Sequence, residues 1–254
     1  MKLFLYKEEI NIKLKRLFSI ICLVVIVGIF VKNINSNKND TTTLSQQNEI
    51  ENNTTQTSNI REKEEVKPVF SSSSIPNDIK EKMLGSSMPS SEPVSFDELS
   101  YIELSYYDFN GNVNTGEMVV NKAIADEVVD IFKELYDKKY PIEKIRLIDE
   151  YNAVDSASMA DNNSSSFCYR TIANTNKISN HGLGIAIDIN PLQNPHVVNG
   201  VANPIEGQEY ANRSNYKPGM IVEGDDLYNA FISRGWTWGG HWKNPDYQHF
   251  EKSL

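Results

Sequence analysis

Four residues in the second half of the chain have types and spacings that suit a hydrolytic metal centre: His181, Asp188, Asp246 and His249. The first two lie in Ser179-Asn-His-Gly-Leu-Gly-Ile-Ala-Ile-Asp188. A His and a carboxylate converging from the start and end of one short strand supply half of a zinc site. Asp246-Tyr-Gln-His249 brings the other two close enough on a turn to share a face. Zinc hydrolases hold the metal with three protein ligands and leave a fourth position for water. They also need a carboxylate beside that water, off the metal, to take its proton and later protonate a leaving amine. His181, Asp188 and His249 can be the ligands, which leaves Asp246 as the base. Arg170, in Phe167-Cys-Tyr-Arg170, could stabilise the oxygen that gains charge in a tetrahedral intermediate.

The remaining candidates read more plainly. His196 and His241 suit a cleft rim or the surface, and Trp236, Trp238 and Trp242 suit packing. Cys168 reads as a small buried residue. Asp149, Asp155 and Asp161 precede Arg170 and can shape a site, although their spacing does not demand it. Ser214-Asn-Tyr-Lys217 matches the Ser-x-x-Lys of penicillin-binding enzymes, but no Lys-Thr-Gly accompanies it, so the match is chance.

The elements that must carry these residues have their own signals. Leu99 to Phe109 is rich in Tyr, Ile and Leu and ends at Asn110-Gly111, with Gly116 to Val120 after it, which predicts a β-hairpin. Asn121 can cap a helix on which Ile124, Val128, Phe132 and Leu135 recur, ending before Pro141. Ile142 to Ile148 alternates as a half-buried strand, and a short helix spans Asp225 to Arg234, stopping at Gly235. Leu183, Ile185, Ile187 and Ile189 alternate with Gly184, Ala186 and Asp188, which predicts a strand with aliphatics inside and Asp188 on the opposite face. Strands and helices without a regular βαβ rhythm give an α+β domain, a small antiparallel sheet flanked by helices with the zinc site in a cleft.

Arg170, Ser179-x-His181-x6-Asp188 and Asp246-x-x-His249 together resemble the zinc peptidases that group bacterial D-Ala-D-Ala carboxypeptidases and dipeptidases with L-alanyl-D-glutamate endopeptidases. The similarity runs from about Ile142 to the C-terminus. It implies zinc on His181, Asp188 and His249, Asp246 as catalytic acid and base, Arg170 as the group polarising substrate, and a peptidoglycan stem peptide as substrate. The carboxypeptidase and dipeptidase branches usually carry Glu where this chain has Asp246. Asp there, behind Gly-Trp-Thr-Trp-Gly-Gly, resembles the endopeptidase branch and places L-Ala–D-Glu ahead of D-Ala–D-Ala as the expected bond. His241 stands where that branch would have Asp.

Length and composition set the frame. The 254 residues suit one sizeable domain with appendages, and a net charge of −9 argues against nucleic acid as a partner. Two cysteines, one of them inside an apolar run, give no disulfide framework. Lys13, Lys15 and Arg16 precede the apolar run of residues 17–31, and Lys32 closes it. Residues 1–16 are therefore expected inside the cell and 17–32 as an uncleaved signal anchor, with no small-x-small cleavage site after the run. Residues 33–94, poor in large apolar side chains, read as a disordered spacer, and 95–254 as the peptidase domain, tethered outside the cell membrane. A cleaved, secreted form is the rival topology. The rival functions are an inactive zinc-stabilised wall-binding module and a membrane-anchored adaptor.

Overall fold

Residues 67–172 and 175–254 are described by the computed structural model. Its first elements are strand β1 (Phe70–Ser73) and helix α1 (Asn77–Met83). Both fall where composition predicts spacer, so the folded domain starts well before residue 95. A few spaced apolar residues account for this: Ile75, Ile79, Met83, Met88 and Val94 are each at most 6% exposed. With Leu99, Tyr101, Val119, Leu147 and Phe167 they form a core of their own. Burying one such side chain contributes roughly 1.5–3 kcal/mol, which a window average over Ser, Pro and Lys conceals.

The predicted hairpin follows as β2 (Leu99–Tyr107) and β3 (Val113–Asn121), paired antiparallel from Leu99↔Asn121 to Tyr107↔Val113. The Asp108 carboxylate pins its turn, accepting from the backbone N–H of Asn110 and of Asn112 at 2.8 Å each. Period-two alternation sorts the side chains. Ile102, Leu104, Met118 and Val120 enter the main core, while Leu99, Tyr101 and Val119 face the α1 side. β1 pairs antiparallel with β2 at the sheet edge. The main-core face takes α2 (Ala125–Asp137), entered through a 3-10 turn that the Asn121 side chain caps by accepting from Ala123 N–H at 3.0 Å. Ile124, Val128, Phe132 and Leu135 are all buried, as their spacing requires.

The strand expected over Ile142–Ile148 shrinks to β4 (Lys144–Ile145). Ile142, Ile145, Leu147 and Ile148 are all buried, which strict alternation cannot achieve, so the chain turns into a 3-10 helix over Ile148–Tyr151. Helix α3 (Asp155–Ala160) leads to β5 (Asn163–Ser164), which pairs parallel with β4. Next come β6 (Ala186–Asp188) and the hairpin of β7 (His196–Val198) and β8 (Val201–Asn203). Helix α4 (Asp226–Ile232) is capped by Asp225, which accepts from Tyr228 N–H at 2.6 Å. β9 (Thr237–Trp238) and β10 (His249–Glu251) close a second sheet in the order β6-β10-β9.

Among the described residues the domain is thus α+β, with small, mainly antiparallel sheets and few helices. The expected anchor, residues 17–32, lies outside them. No described helix is long and apolar enough to cross a membrane.

Candidate metal centre and cleft

Register assembles the centre. β10 lies antiparallel between β6 and β9, with His249 opposite Asp188, Phe250 opposite Ile187 and Glu251 opposite Ala186. Directly opposed residues project to one face. His249 and Asp188 therefore meet on one side, with Glu251 next along, while Phe250 and Ile187 enter the core. There Phe250 stacks on Phe231 with ring centroids 4.3 Å apart.

His181 arrives on a 3-10 turn, Asn180–Leu183, that ends at Gly184 with φ +67°. Gly184 also touches β3: its carbonyl accepts from Asn121 N–H at 2.7 Å, and a Cβ there would lie 2.6 Å from that nitrogen. Only glycine meets both demands. This turn replaces the first part of the strand predicted from Leu183, and β6 begins only at Ala186. Cys168 N–H donates to the His181 carbonyl, and Ser179 N–H to the Arg170 carbonyl, so the Phe167–Arg170 segment runs beside His181 and delivers Arg170 to the same cleft.

His181, Asp188 and His249 are all buried, with one ligating atom of each within 4.8 Å of the others. His181 Nε2 lies 3.2 Å from His249 Nδ1 and 3.2 Å from Asp188 Oδ2, and His249 Nδ1 lies 3.1 Å from Asp188 Oδ1. The outer nitrogens decide what the inner ones present. His181 Nδ1 faces the Ser166 carbonyl at 2.8 Å, and His249 Nε2 faces the Glu251 carboxylate at 3.1 Å. A carbonyl or carboxylate oxygen only accepts, so both outer nitrogens carry the proton. Both inner nitrogens are then left to offer lone pairs to one point beside a carboxylate. Two imidazole nitrogens and one oxygen suit zinc, and acceptors on the far side of each ring are the usual means of orienting such ligands.

Charge agrees with this arrangement. Burial opposes ionisation of Asp188, yet His181 and His249 outweigh it and hold the carboxyl well below the usual range. Burial likewise opposes a charged His249, but hydrogen bonds to Asp188 and Glu251 push its imidazole up to about 10. Both shifts mark an inner edge that favours positive charge. Glu251 is itself held low, first by His249, and its Oε2 also accepts from Asn180 Nδ2 at 2.7 Å.

Asp246 sits at the turn into β10, its N–H donating to the Gly239 carbonyl at 3.0 Å and its carbonyl accepting from His249 N–H. A Cβ at Gly239 would lie 2.7 Å from the Asp246 carbonyl oxygen and 3.2 Å from His249 Cβ, which explains a glycine in the Trp-Gly-Gly run. Asp246 Oδ1 is closed off from solvent and has no hydrogen-bond partner among the described residues. Burial, then the charge of Asp188, pushes this carboxyl up to about 6, while His249, His196 and the Gln248 carboxamide pull it back. A buried carboxyl near neutrality suits a group that must both take and give a proton.

These residues line a cleft of about 440 Å³, joined by Arg170, Asp155, His196, Gln248 and Trp242. Arg170 Nη1 pairs with Asp155 Oδ1 at 3.1 Å, so Asp155 does shape the site. Asp149 instead binds Ser87, and Asp161 binds Tyr151 and Lys144. His196 is half-buried on the cleft wall, where its backbone bridges to Asp246. His241 is exposed and bonds to Glu223 at 2.6 Å. Trp236 and Trp238 are buried, as is Cys168, but Trp242 is 40% exposed with its ring 5.1 Å from that of His249. Glu251 and Gln248 are the site residues that the sequence reading leaves unassigned. The signal for Glu251 was its place two residues beyond His249, on one face of a strand.

Among known families, the model of one described as D-alanyl-D-alanine carboxypeptidase matches residues 173–252. That span takes in His181, Asp188, Asp246 and His249 and begins just after Arg170. The resemblance read from the motifs is thereby borne out over these residues. Neither a curated protein nor a solved structure matches the chain.

Proposed function

We propose, from this family match and the geometry of the cleft, that the chain is a zinc-dependent peptidase acting on peptidoglycan stem peptides. The observation that carries the reading is the convergence of two imidazole lone pairs and the Asp188 carboxylate on one buried point, with Asp246 unligated beside them. His181, Asp188 and His249 would hold zinc there, and the ion would supply a Lewis acid able to polarise a carbonyl and acidify water. The chain does the rest. Asp246 orients the attacking water, accepts its proton and passes that proton to the departing amine. Arg170, steadied by Asp155, stabilises charge on the carbonyl oxygen. Trp242 offers an apolar wall at the mouth.

An inert wall-binding module or an adaptor has no use for a buried carboxyl poised near neutrality within reach of the ligands, so the enzyme reading is preferred. Two signals bear on the bond. The family description points to terminal D-Ala–D-Ala, whereas Asp246 and the Trp-Gly-Gly run point to L-Ala–D-Glu. The expected result is that purified residues 62–254, loaded with zinc, convert muropeptides to shorter products seen by mass spectrometry. Loss of terminal D-Ala alone identifies the carboxypeptidase, and release of the peptide beyond L-Ala the endopeptidase. Unchanged muropeptides of every stem length would remove the substrate class.

We also place the domain outside the cell membrane, held by residues 17–31, from the basic residues that precede that run. Protease added to intact cells should strip the domain from the membrane fraction. Full protection, or recovery of the domain in the medium with a new N-terminus near residue 33, would refute this topology.

A further inference from the structure

His196 is half-buried in the cleft wall, and its ring has no hydrogen-bond partner among the described residues. Strand pairing fixes what it stands beside. Val197 N–H donates to the Pro245 carbonyl at 2.7 Å and Tyr247 N–H to the Pro195 carbonyl at 3.5 Å, so His196 and Asp246 oppose each other between those two bonds. Such a non-hydrogen-bonded antiparallel pair has Cα atoms about 4.5 Å apart and both side chains on one face. β7 carries the row one strand further, with Asn203 of β8 opposite His196. Asp246, His196 and Asn203 all line the cleft, and Asn203 is exposed at its rim. The hydrolytic steps described above use neither His196 nor Asn203.

The row starts where the leaving group departs. Under the peptidase reading Asp246 returns its proton to the departing nitrogen, so that nitrogen sits beside Asp246. Both candidate bonds release an amine whose α-carbon bears a free carboxylate: the terminal D-Ala in one, and D-Glu joined onward through its γ-carboxyl in the other. That carboxylate carbon lies about 2.5 Å from the nitrogen, two bonds on. With the nitrogen at Asp246, the neighbouring side chain in the row is placed to meet the carboxylate. An imidazole offers an N–H in either protonation state, and a carboxamide offers two more. Arg170, across the cleft, already pairs with Asp155. We infer that His196 and Asn203 form a subsite for the α-carboxylate of the residue that leaves. The inference rests on the peptidase reading and adds a specificity to it: the amine side of the bond is recognised by its free α-carboxylate.

The test is a ratio of kcat/KM values in the full-length, zinc-loaded protein. One stem peptide carries the free α-carboxylate on the leaving residue and the other its α-carboxamide, and both are followed at whichever of the two bonds wild type cuts. Wild type should favour the acid by about tenfold or more, as for hydrogen bonds to a charged group. His196→Phe keeps a ring without a donor and should bring the ratio close to one, chiefly by raising KM on the acid. Asn203→Asp sets a negative charge against the substrate's own and should lower the ratio as well. Zinc content and melting temperature are measured alongside; if His196→Phe does not fold, the exposed Asn203→Asp decides. Equal rates on acid and amide in wild type would overturn the subsite while leaving the peptidase intact. So would a folded variant that slows both substrates alike and keeps the wild-type ratio, which would make His196 a modulator of Asp246 alone. Failure of wild type to cut either bond in either peptide would overturn the peptidase reading and this inference with it.

Discussion

Asp246→Ala should retain a full equivalent of zinc and lose hydrolysis by a factor of about 10²–10⁴ or more, the usual contribution of a positioned acid–base group. The expectation follows from where the carboxyl stands. It lies outside the set whose atoms converge, and its Oδ1 has no partner among the described residues to lose. Removing it therefore breaks no internal hydrogen bond at that atom, and the fold should survive with its melting temperature little changed. Arg170→Ala should also keep the metal but slow turnover less, by about 10²–10³, as for loss of one oxyanion donor. Zinc by elemental analysis and steady-state rates on muropeptides decide both. Wild-type turnover in Asp246→Ala would end the proposed mechanism, and loss of zinc would make Asp246 a ligand.

The second large effect is on the metal itself. His181→Ala or His249→Ala removes one of three donors, and zinc affinity should fall by orders of magnitude. Full occupancy in both variants would sink the ligand assignment. Wild-type affinity should also depend on pH with a definite sign. His249 is raised from 6.5 to about 10, so below that pH a proton holds the position that zinc must take. Each unit of rising pH removes some of this competition, and apparent affinity should increase about tenfold per unit toward pH 10. Competition titrations against a chelator, corrected for the chelator's own protonation, measure the slope. A flat profile would show that no proton leaves on binding.

Much of this site was legible in the sequence because its parts obey short-range rules. Alternation from Leu183 to Ile189 put Asp188 on the side away from the aliphatics, and the Asp246-x-x-His249 spacing kept base and ligand together. The hairpin and α2 were legible for the same reason, with turn chemistry and helical spacing pointing one way. What escaped depended on pairing between distant segments. Glu251 is one acidic residue among many until pairing with β6 makes residues 249–251 a strand, which sets it on the same face as His249 and within reach of Nε2. Gln248 has no distinguishing neighbour in sequence, and only burial exposes its orphaned oxygen. The early start of the domain escaped because five apolar side chains are thinly spread between Ile75 and Val94, and each counts only once the hairpin face it covers exists. Residues 142–148 misled because an apparent alternation can be met by a turn that buries Leu147 and Ile148 together.

The pairing of β10 with β6 also has a consequence for the order of events during folding. Asp188 and His249 reach each other only when two strands far apart in the chain have docked in a single register. A slip of one residue would send His249 into the core and Phe250 toward solvent. The β2–β3 hairpin and α2 depend on no such distant partner and can form from local contacts. An emerging chain therefore has no three-donor trap for zinc until its late segment has arrived and settled. Under the proposed zinc assignment, metal capture would seal a completed fold rather than seed one, and chains still short of the native state would offer an ion no complete set of donors.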